Sequence, residues 1–245
     1  MLIEFCTPHD SELCSPVNAG PGCYCVRCTA EHDMTSLASQ QALLSFVRAV
    51  PPGIPVCLWS GIPCTGGSVI QNLNRRHPGY ARRMRAHHVL WTRLFASFLH
   101  IAHAVVHVGG HLVLEWPVRC RYWSEPAVLA LLRLPELAWL DFRVRACAFG
   151  QLIEYGPHKG THSTKQWRLA STIPGLDSLL GLPCPGGHEH GRTVGAQTKA
   201  SGRYPPLMAQ AFHKCFRNAS LATDAAHRRA DVLGCFWGLD QAGLL

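Results

Sequence analysis

The sequence predicts a single α/β domain built on a mostly parallel sheet flanked by helices. Two apolar runs, and the residues after each, carry this expectation. Residues 56–59 are continuous enough to be a strand buried on both faces, and they lead into Ile62-Pro63-Cys64-Thr65-Gly66-Gly67-Ser68, which can extend neither strand nor helix. Residues 111–114 repeat the pattern and end in Glu115-Trp116-Pro117. Helical periodicities lie between and before these runs, so strands alternate with helices as in a parallel sheet. Such sheets bind ligands beyond the carboxyl ends of their strands. A thiol at one strand end and a carboxyl at another therefore predict a shared crevice, with Cys64 as nucleophile and Glu115 as acid. Taken singly, Cys64 also reads as an inert buried cysteine and Glu115 as a solvated loop carboxylate.

Residues 2–6 read as a first strand with no secretory leader before it. Residues 23–29 alternate as a second strand, on which Cys23, Cys25 and Cys28 read as structural, and Glu31 and Asp33 follow at its end. An acid in that position of a doubly wound sheet commonly accepts hydrogen bonds from a ribose. Residues 36–50 form an amphipathic helix with Leu37, Leu43, Leu44 and Val47 inward, closed by Pro51-Pro52-Gly53. Between Cys6 and Cys64 there is room for one full helix and one further strand, so the sheet is expected to be trimmed. Residues 89–108 make a second helix with Leu90, Leu94, Phe98, Ile101 and Val105 inward. Arg93, His100, His103 and His107 interrupt its apolar run, which favours a buried helix over a membrane span. Tyr122 and Trp123 could stack on bases or pack in the core. A helix over residues 128–137, a strand over 139–147, a polar loop over 159–164 and a proline-started helix over 204–216 complete the domain, assigned to residues 1–218. Residues 219–245 are expected to be a tail.

Charge points to an acidic partner. The chain of 245 residues carries a formal net charge of +8 with 47% hydrophobic residues, enough for one compact core. Arg75, Arg76, Arg82, Arg83 and Arg85 form its densest positive stretch, one or two turns beyond Cys64. Guanidinium groups so placed can take phosphates in bidentate fashion, which makes nucleic acid, DNA or RNA, the expected partner. The bland alternative is a solvated helix face. The twelve cysteines fall partly inside apolar runs rather than in a framework, which predicts a reducing, intracellular compartment; the nucleus is consistent with that partner. Oligomeric state is left open.

Pro63-Cys64 with Gly66-Gly67-Ser68 resembles the nucleophile loop of the DNA cytosine-5 methyltransferases, and Glu115-Trp116-Pro117 resembles their Glu-Asn-Val motif, in the same order and strand context. Leu2-Ile3-Glu4-Phe5-Cys6 is similar to their first strand, which ends in Phe-Cys-Gly, and residues 204–209 to their closing motif. Ile-Pro-Cys-Thr-Gly-Gly-Ser and Glu-Trp-Pro are also similar to segments of retroelement-like polyproteins. The resemblance implies a Rossmann-like methyltransferase fold that uses S-adenosylmethionine, with Phe5, Cys6, Glu31, Asp33 and Pro63 at the cofactor. It implies Cys64 adding to a flipped cytosine, Glu115 engaging the ring, and Lys165 and Arg168 as remnants of a Gln-Arg-Arg type motif, Arg168 in the catalytic set and Lys165 on nucleic acid. Two features depart from the family. Thr7-Pro8-His9-Asp10-Ser11 lacks the glycines of a cofactor turn, and the span from Arg168 to Tyr204 is too short for a target-recognition region. A catalytically decayed module that only binds nucleic acid is the competing expectation.

Cys184-Pro185-Gly186-Gly187-His188-Glu189-His190 lies outside this resemblance. Cys184, His188 and His190 are three good zinc donors in one loop, with Cys215 or His213 as candidates for a fourth. A structural zinc ion, a zinc-dependent hydrolase and an unliganded polar loop are all open on sequence alone.

Overall fold

The computed structural model describes residues 1–193 and 195–222. In chain order the elements are β1 (Leu2–Phe5), α1 (Pro16–Ala19), β2 (Cys25–Cys28), α2 (Leu37–Arg48), β3 (Cys57–Ser60), α3 (Tyr80–His107), β4 (His111–Pro117), α4 (Pro126–Leu132), β5 (Leu140–Arg145), β6 (His162–Ser163), β7 (Gln166–Ser171), α5 (Leu176–Leu180), β8 (His190–Gly191), α6 (Gln197–Ala200) and α7 (Pro206–Ala222).

Six strands form one sheet in the order β2-β1-β3-β4-β7-β5, and β6 and β8 form a separate two-stranded ribbon. The first four strands are mutually parallel; β7 runs antiparallel to both β4 and β5. The protein is thus α/β with a mostly parallel sheet, and between β1 and β3 it holds the one further strand, β2, and one long helix, α2, that the sequence has room for, with the four-residue α1 besides. From β1 the chain moves outward to β2 and then crosses back to β3 on the other side. The order reverses between β1 and β3, and the carboxyl ends of strands flanking such a reversal open a crevice.

One face of the sheet packs Leu58, Leu112 and Leu114 against Leu43, Leu44 and Val47 of α2 and Trp91, Phe95, Phe98 and Val105 of α3. The other packs Trp59, Val113 and Leu169 against Met208, Phe212 and Phe216 of α7. Because side chains alternate along a strand, neighbours in sequence divide between these faces.

Several boundaries differ from expectation for local reasons. The helix expected from residue 89 begins at Tyr80, so Arg82, Arg83 and Arg85 occupy its first turns. Leu90 and Leu37 are exposed rather than inward, while Trp91 is buried. α3 is long and apolar enough to cross a membrane, with half of its most apolar window buried in the protein. Tyr122 and Trp123 are core residues: Tyr122 stacks 4.5 Å from Trp91, and Trp123 lies edge-on 5.0 Å from Trp116, which removes them as platforms for bases. The last helix extends to Ala222, past the boundary expected at 218; the rest of the expected tail lies outside the described residues. The cysteines of the described residues are free.

Candidate functional site

A cavity of about 160 Å³ opens at the topological reversal, lined by residues following β1 and β3, the end of β4, the approach to β7 and the segment before α7. Cys64 and Glu115 both line it, together with Glu4, Cys6, Ser11, Pro63, Lys165 and Tyr204.

The Cys64 loop owes its position to contacts on both sides. Trp116 Nε1 donates to Ile62 O at 2.8 Å, tying the loop to β4. Beyond Cys64 the chain tightens into a 3-10 turn, Thr65–Gly67, under α3 and Tyr122. A Cβ on Gly66 would lie 2.3 Å from Tyr122 Oη, and one on Gly67 2.6 Å from Cys120 Sγ. The two glycines are required by this close approach. Burial pushes the Cys64 thiol up; Lys165 pulls it down and Glu115 adds to the rise. Cys64 is therefore chiefly a thiol at neutral pH.

Glu115 sits inside β4, opposite Leu169, rather than in a loop after it. It shares a sheet face with Trp59, because Trp59 registers with Val113 and Glu115 is two residues further on. Trp59 Nε1 donates to Tyr204 Oη at 3.0 Å, and Tyr204 Oη donates to Glu115 Oε2 at 2.7 Å. Burial pushes Glu115 up to about 7, opposed by Lys165 and then by the Tyr204 hydrogen bond. A carboxyl so placed can hold or release a proton near neutral pH.

Glu4 registers with Trp59 on the same face. Thr7 Oγ1 and Ser11 Oγ donate to Glu4 Oε1 at 2.8 and 2.6 Å. Its Oε2 is buried without a hydrogen bond of normal geometry, although the Cys14 thiol is close enough to favour the ionised form. Burial raises this carboxyl too. Cys6 adopts φ +64°, the left-handed conformation that a glycine takes most easily. β1 thus ends in a sharp turn despite lacking a glycine. Burial pushes the Cys6 thiol up to about 12, which leaves it unreactive at neutral pH.

The chain matches no protein-family model, no curated protein and no solved structure. Its own geometry defines the site.

That geometry brings together Cys64, Glu115, Cys6, Pro63 and Lys165, and leaves other expected residues outside. Arg168 does not line the cavity. It pairs with Asp141 of β5 through Nε at 2.8 Å and lies over the Trp123 ring at 4.5 Å. Trp167 does line it, and its neighbour on the strand must point to the opposite face. Phe5 is fully buried, edge-on to Phe98, and also lies outside the cavity. Glu31 and Asp33 are exposed beyond β2, on the same sheet edge but outside the cavity: Glu31 lies 3.5 Å from His9, and hydrogen bonds from Thr35 hold Asp33 below its usual range. Arg75, Arg76, Arg82, Arg83 and Arg85 are exposed, and none forms an ion pair among the described residues.

Glu4 and Tyr204 lie in segments that the resemblance names, the first strand and the closing motif, but neither is among the expected site residues. Glu4 carries a signal: an acid in the middle of a strand buried on both faces is anomalous.

The Cys/His loop builds a second candidate site. Cys147, Cys184, His188 and His190 place one donor atom each within 4.8 Å of one another and could hold a metal ion. Cys147 takes the fourth place offered to Cys215 or His213. Cys215 instead donates to Pro174 O at 3.5 Å, and the His213 ring contacts Leu13 O at 2.6 Å, both on the α7 side of the sheet.

Proposed function

We propose that this cavity takes a cytosine of a nucleic acid and that the protein is an S-adenosylmethionine-dependent cytosine methyltransferase of Rossmann-like architecture. The observation that carries the reading is that Cys64 and Glu115, from separate strands, line one cavity at the sheet's reversal together with a cation, Lys165. A cavity of about 160 Å³ is small beside the roughly 300–1,000 Å³ of most ligand pockets, which suits one heterocycle taken out of its stack.

The chemistry follows from the residues. Cys64 gives its proton to solvent water, and the thiolate sulfur adds to carbon-6 of the ring. The displaced electron pair moves toward the ring nitrogen, which takes a proton from Glu115; a carboxyl poised near pH 7 is suited to that transfer. Lys165 stabilises the thiolate, as its effect on Cys64 indicates. Carbon-5 becomes electron-rich and takes the methyl group; the ring nitrogen returns its proton to the Glu115 carboxylate, solvent water removes the carbon-5 proton, and the electron pair left behind restores the ring double bond as the carbon–sulfur bond breaks and Cys64 leaves as thiolate. The exposed arginines from Arg75 to Arg85 would hold the phosphate backbone beside the cavity.

The residues present fit one end of the methyl donor. An ammonium group suits Glu4, which lines the cavity and keeps one buried oxygen whose only neighbour of note is the Cys14 thiol, and Cys6 supplies the turn of an absent glycine. Glu31 and Asp33, outside the enclosed space, would receive the ribose. When bound, the donor supplies the methyl group that cytosine accepts.

One observation favours a second reading, a binding module without turnover. The Thr7 and Ser11 amides, at the place of a cofactor cradle, are already used by Cys28 O and Pro8 O. Two experiments decide. Wild-type protein is expected to transfer labelled methyl groups from S-adenosylmethionine into cytosine-containing DNA or RNA, and Cys64→Ser to transfer none; undiminished transfer by Cys64→Ser refutes the nucleophile. Calorimetric silence toward S-adenosylmethionine, with salt-sensitive polynucleotide binding retained, supports the module.

A further inference from the structure

The strap between β5 and α7 holds an organised cluster that the cavity does not use. Cys147 lies in a 3-10 turn, Ala146–Phe149, at the end of β5. Cys184, His188 and His190 come from the loop after α5 and from β8. Gly186 and Gly187, at φ +73° and +68°, make the left-handed turn that swings the chain so that Cys184 faces both histidines. Cys184 Sγ lies 3.4 Å from His188 Nε2 and 3.6 Å from His190 Nε2, and the two Nε2 atoms are 3.1 Å apart.

These spacings have a specific meaning. With Zn–N of about 2.0–2.1 Å and Zn–S of about 2.3 Å, a tetrahedron separates two nitrogens by roughly 3.3 Å and a nitrogen from a sulfur by roughly 3.6 Å. The distances found are close to both. Two thiols and two imidazoles also form the soft, tetrahedral donor set that selects zinc over harder cations. The set is complete, so it leaves no open position for a Lewis-acid water and fits a structural ion.

We infer that Cys147, Cys184, His188 and His190 bind one zinc ion, which fastens the strap carrying Lys165 to the end of β5. The connections run through backbone pairing. β6 pairs with β8 at His162 and His190, Thr164 N donates to Gly191 O at 3.2 Å, and Ala146 N donates to Lys165 O at 3.0 Å. His162 stacks on His188 with ring centres 3.9 Å apart, bracing the imidazole. Lys165 lines the cavity with its side chain while two backbone hydrogen bonds, from Ala146 N to Lys165 O and from Thr164 N to Gly191 O, tie its segment to the neighbours of Cys147 and His190. The inference is independent of the methyl-transfer reading.

The test uses the full chain, purified under reducing conditions without chelator. Metal analysis is expected to give one zinc per chain, and Co(II) exchanged for it to give the visible bands of a tetrahedral ion with thiolate-to-metal charge transfer. Cys184→Ser and Cys147→Ser should each cut the charge-transfer intensity by about half, since one of two thiolates remains, whereas Cys23→Ser should leave it unchanged. Chelation of the wild-type protein should speed amide exchange in residues 146–165 and 184–191. Failure of the wild-type protein to bind zinc or Co(II) stoichiometrically, a Cys147–Cys184 disulfide in place of metal, or a Co(II) spectrum indifferent to both serine variants overturns the inference. Polynucleotide plays no part in these readouts, so they separate this inference from the proposed activity.

Discussion

Replacing Glu115 by Gln isolates the free-energy cost of keeping an ionisable group beside Cys64. Glutamine keeps the side-chain volume and an oxygen to accept from Tyr204 Oη; it removes only the ionisation. Burial holds the carboxyl at about 7 in the folded protein against an ordinary value of 4.5. A folded-state value raised in this way gives stability that is fully present below about pH 4.5 and is lost as pH rises through about 7, because the unfolded chain releases its proton first. At about 1.4 kcal/mol for each tenfold change in proton affinity, the loss amounts to about 3 kcal/mol above pH 8. The assay is urea denaturation of wild type and Glu115→Gln from pH 5 to pH 9, read as the difference between their unfolding free energies. The variant should be equal to wild type, or slightly more stable, at the acid end and about 3 kcal/mol more stable at the alkaline end. Parallel curves would refute the reasoning by showing a carboxyl that ionises as in water. A variant less stable above pH 7 would refute it differently, by making the attraction to Lys165 larger than the cost of burial.

Other substitutions test the surrounding contacts. Tyr204→Phe leaves Trp59 Nε1 and Glu115 Oε2 without each other's bridge, which should cost about 1–3 kcal/mol in denaturant unfolding and push the Glu115 transition to still higher pH. Gly67→Ala places a methyl group against Cys120 Sγ and the Tyr122 ring, and should lower stability by about 1–3 kcal/mol and change the rate at which iodoacetamide alkylates Cys64. Alkylation of Cys64 should be slow at pH 7 and accelerate as pH rises through and beyond 9; Lys165→Met should slow it further by removing the charge that favours the thiolate. Arg82→Ala with Arg83→Ala should flatten the salt dependence of polynucleotide binding by about 0.9 in log–log slope for each phosphate no longer neutralised, measured by fluorescence anisotropy; an unchanged slope removes these arginines from the interface.

The sequence showed the site's frame more clearly than its walls. Apolar runs ending at Cys64 and Glu115 could be read locally, because a strand buried on both faces needs no long-range information to be recognised. The position of Lys165 relative to Arg168 was legible in principle: residues three apart on an extended segment point to opposite faces, so both could not serve one cavity. Tyr204 reaches Glu115 across 89 positions of chain, and no local pattern encodes that bridge. Cys147 was hidden for a similar reason, since a cysteine in an apolar strand reads as packing until the Cys184 loop folds onto it. The start of α3 was misplaced because arginines on an exposed first turn carry no apolar periodicity.

The reversed strand β7 has an effect on how this protein could change. Entering the sheet against the direction of β4, it delivers its incoming connection, residues 150–165, to the same edge where the parallel strands deliver their outgoing ones. Lengthening or exchanging that connection would give the cavity a new rim while every rung of the six-stranded ladder stayed intact. The fold thus carries a place where an added segment could reshape the cavity without disturbing the sheet.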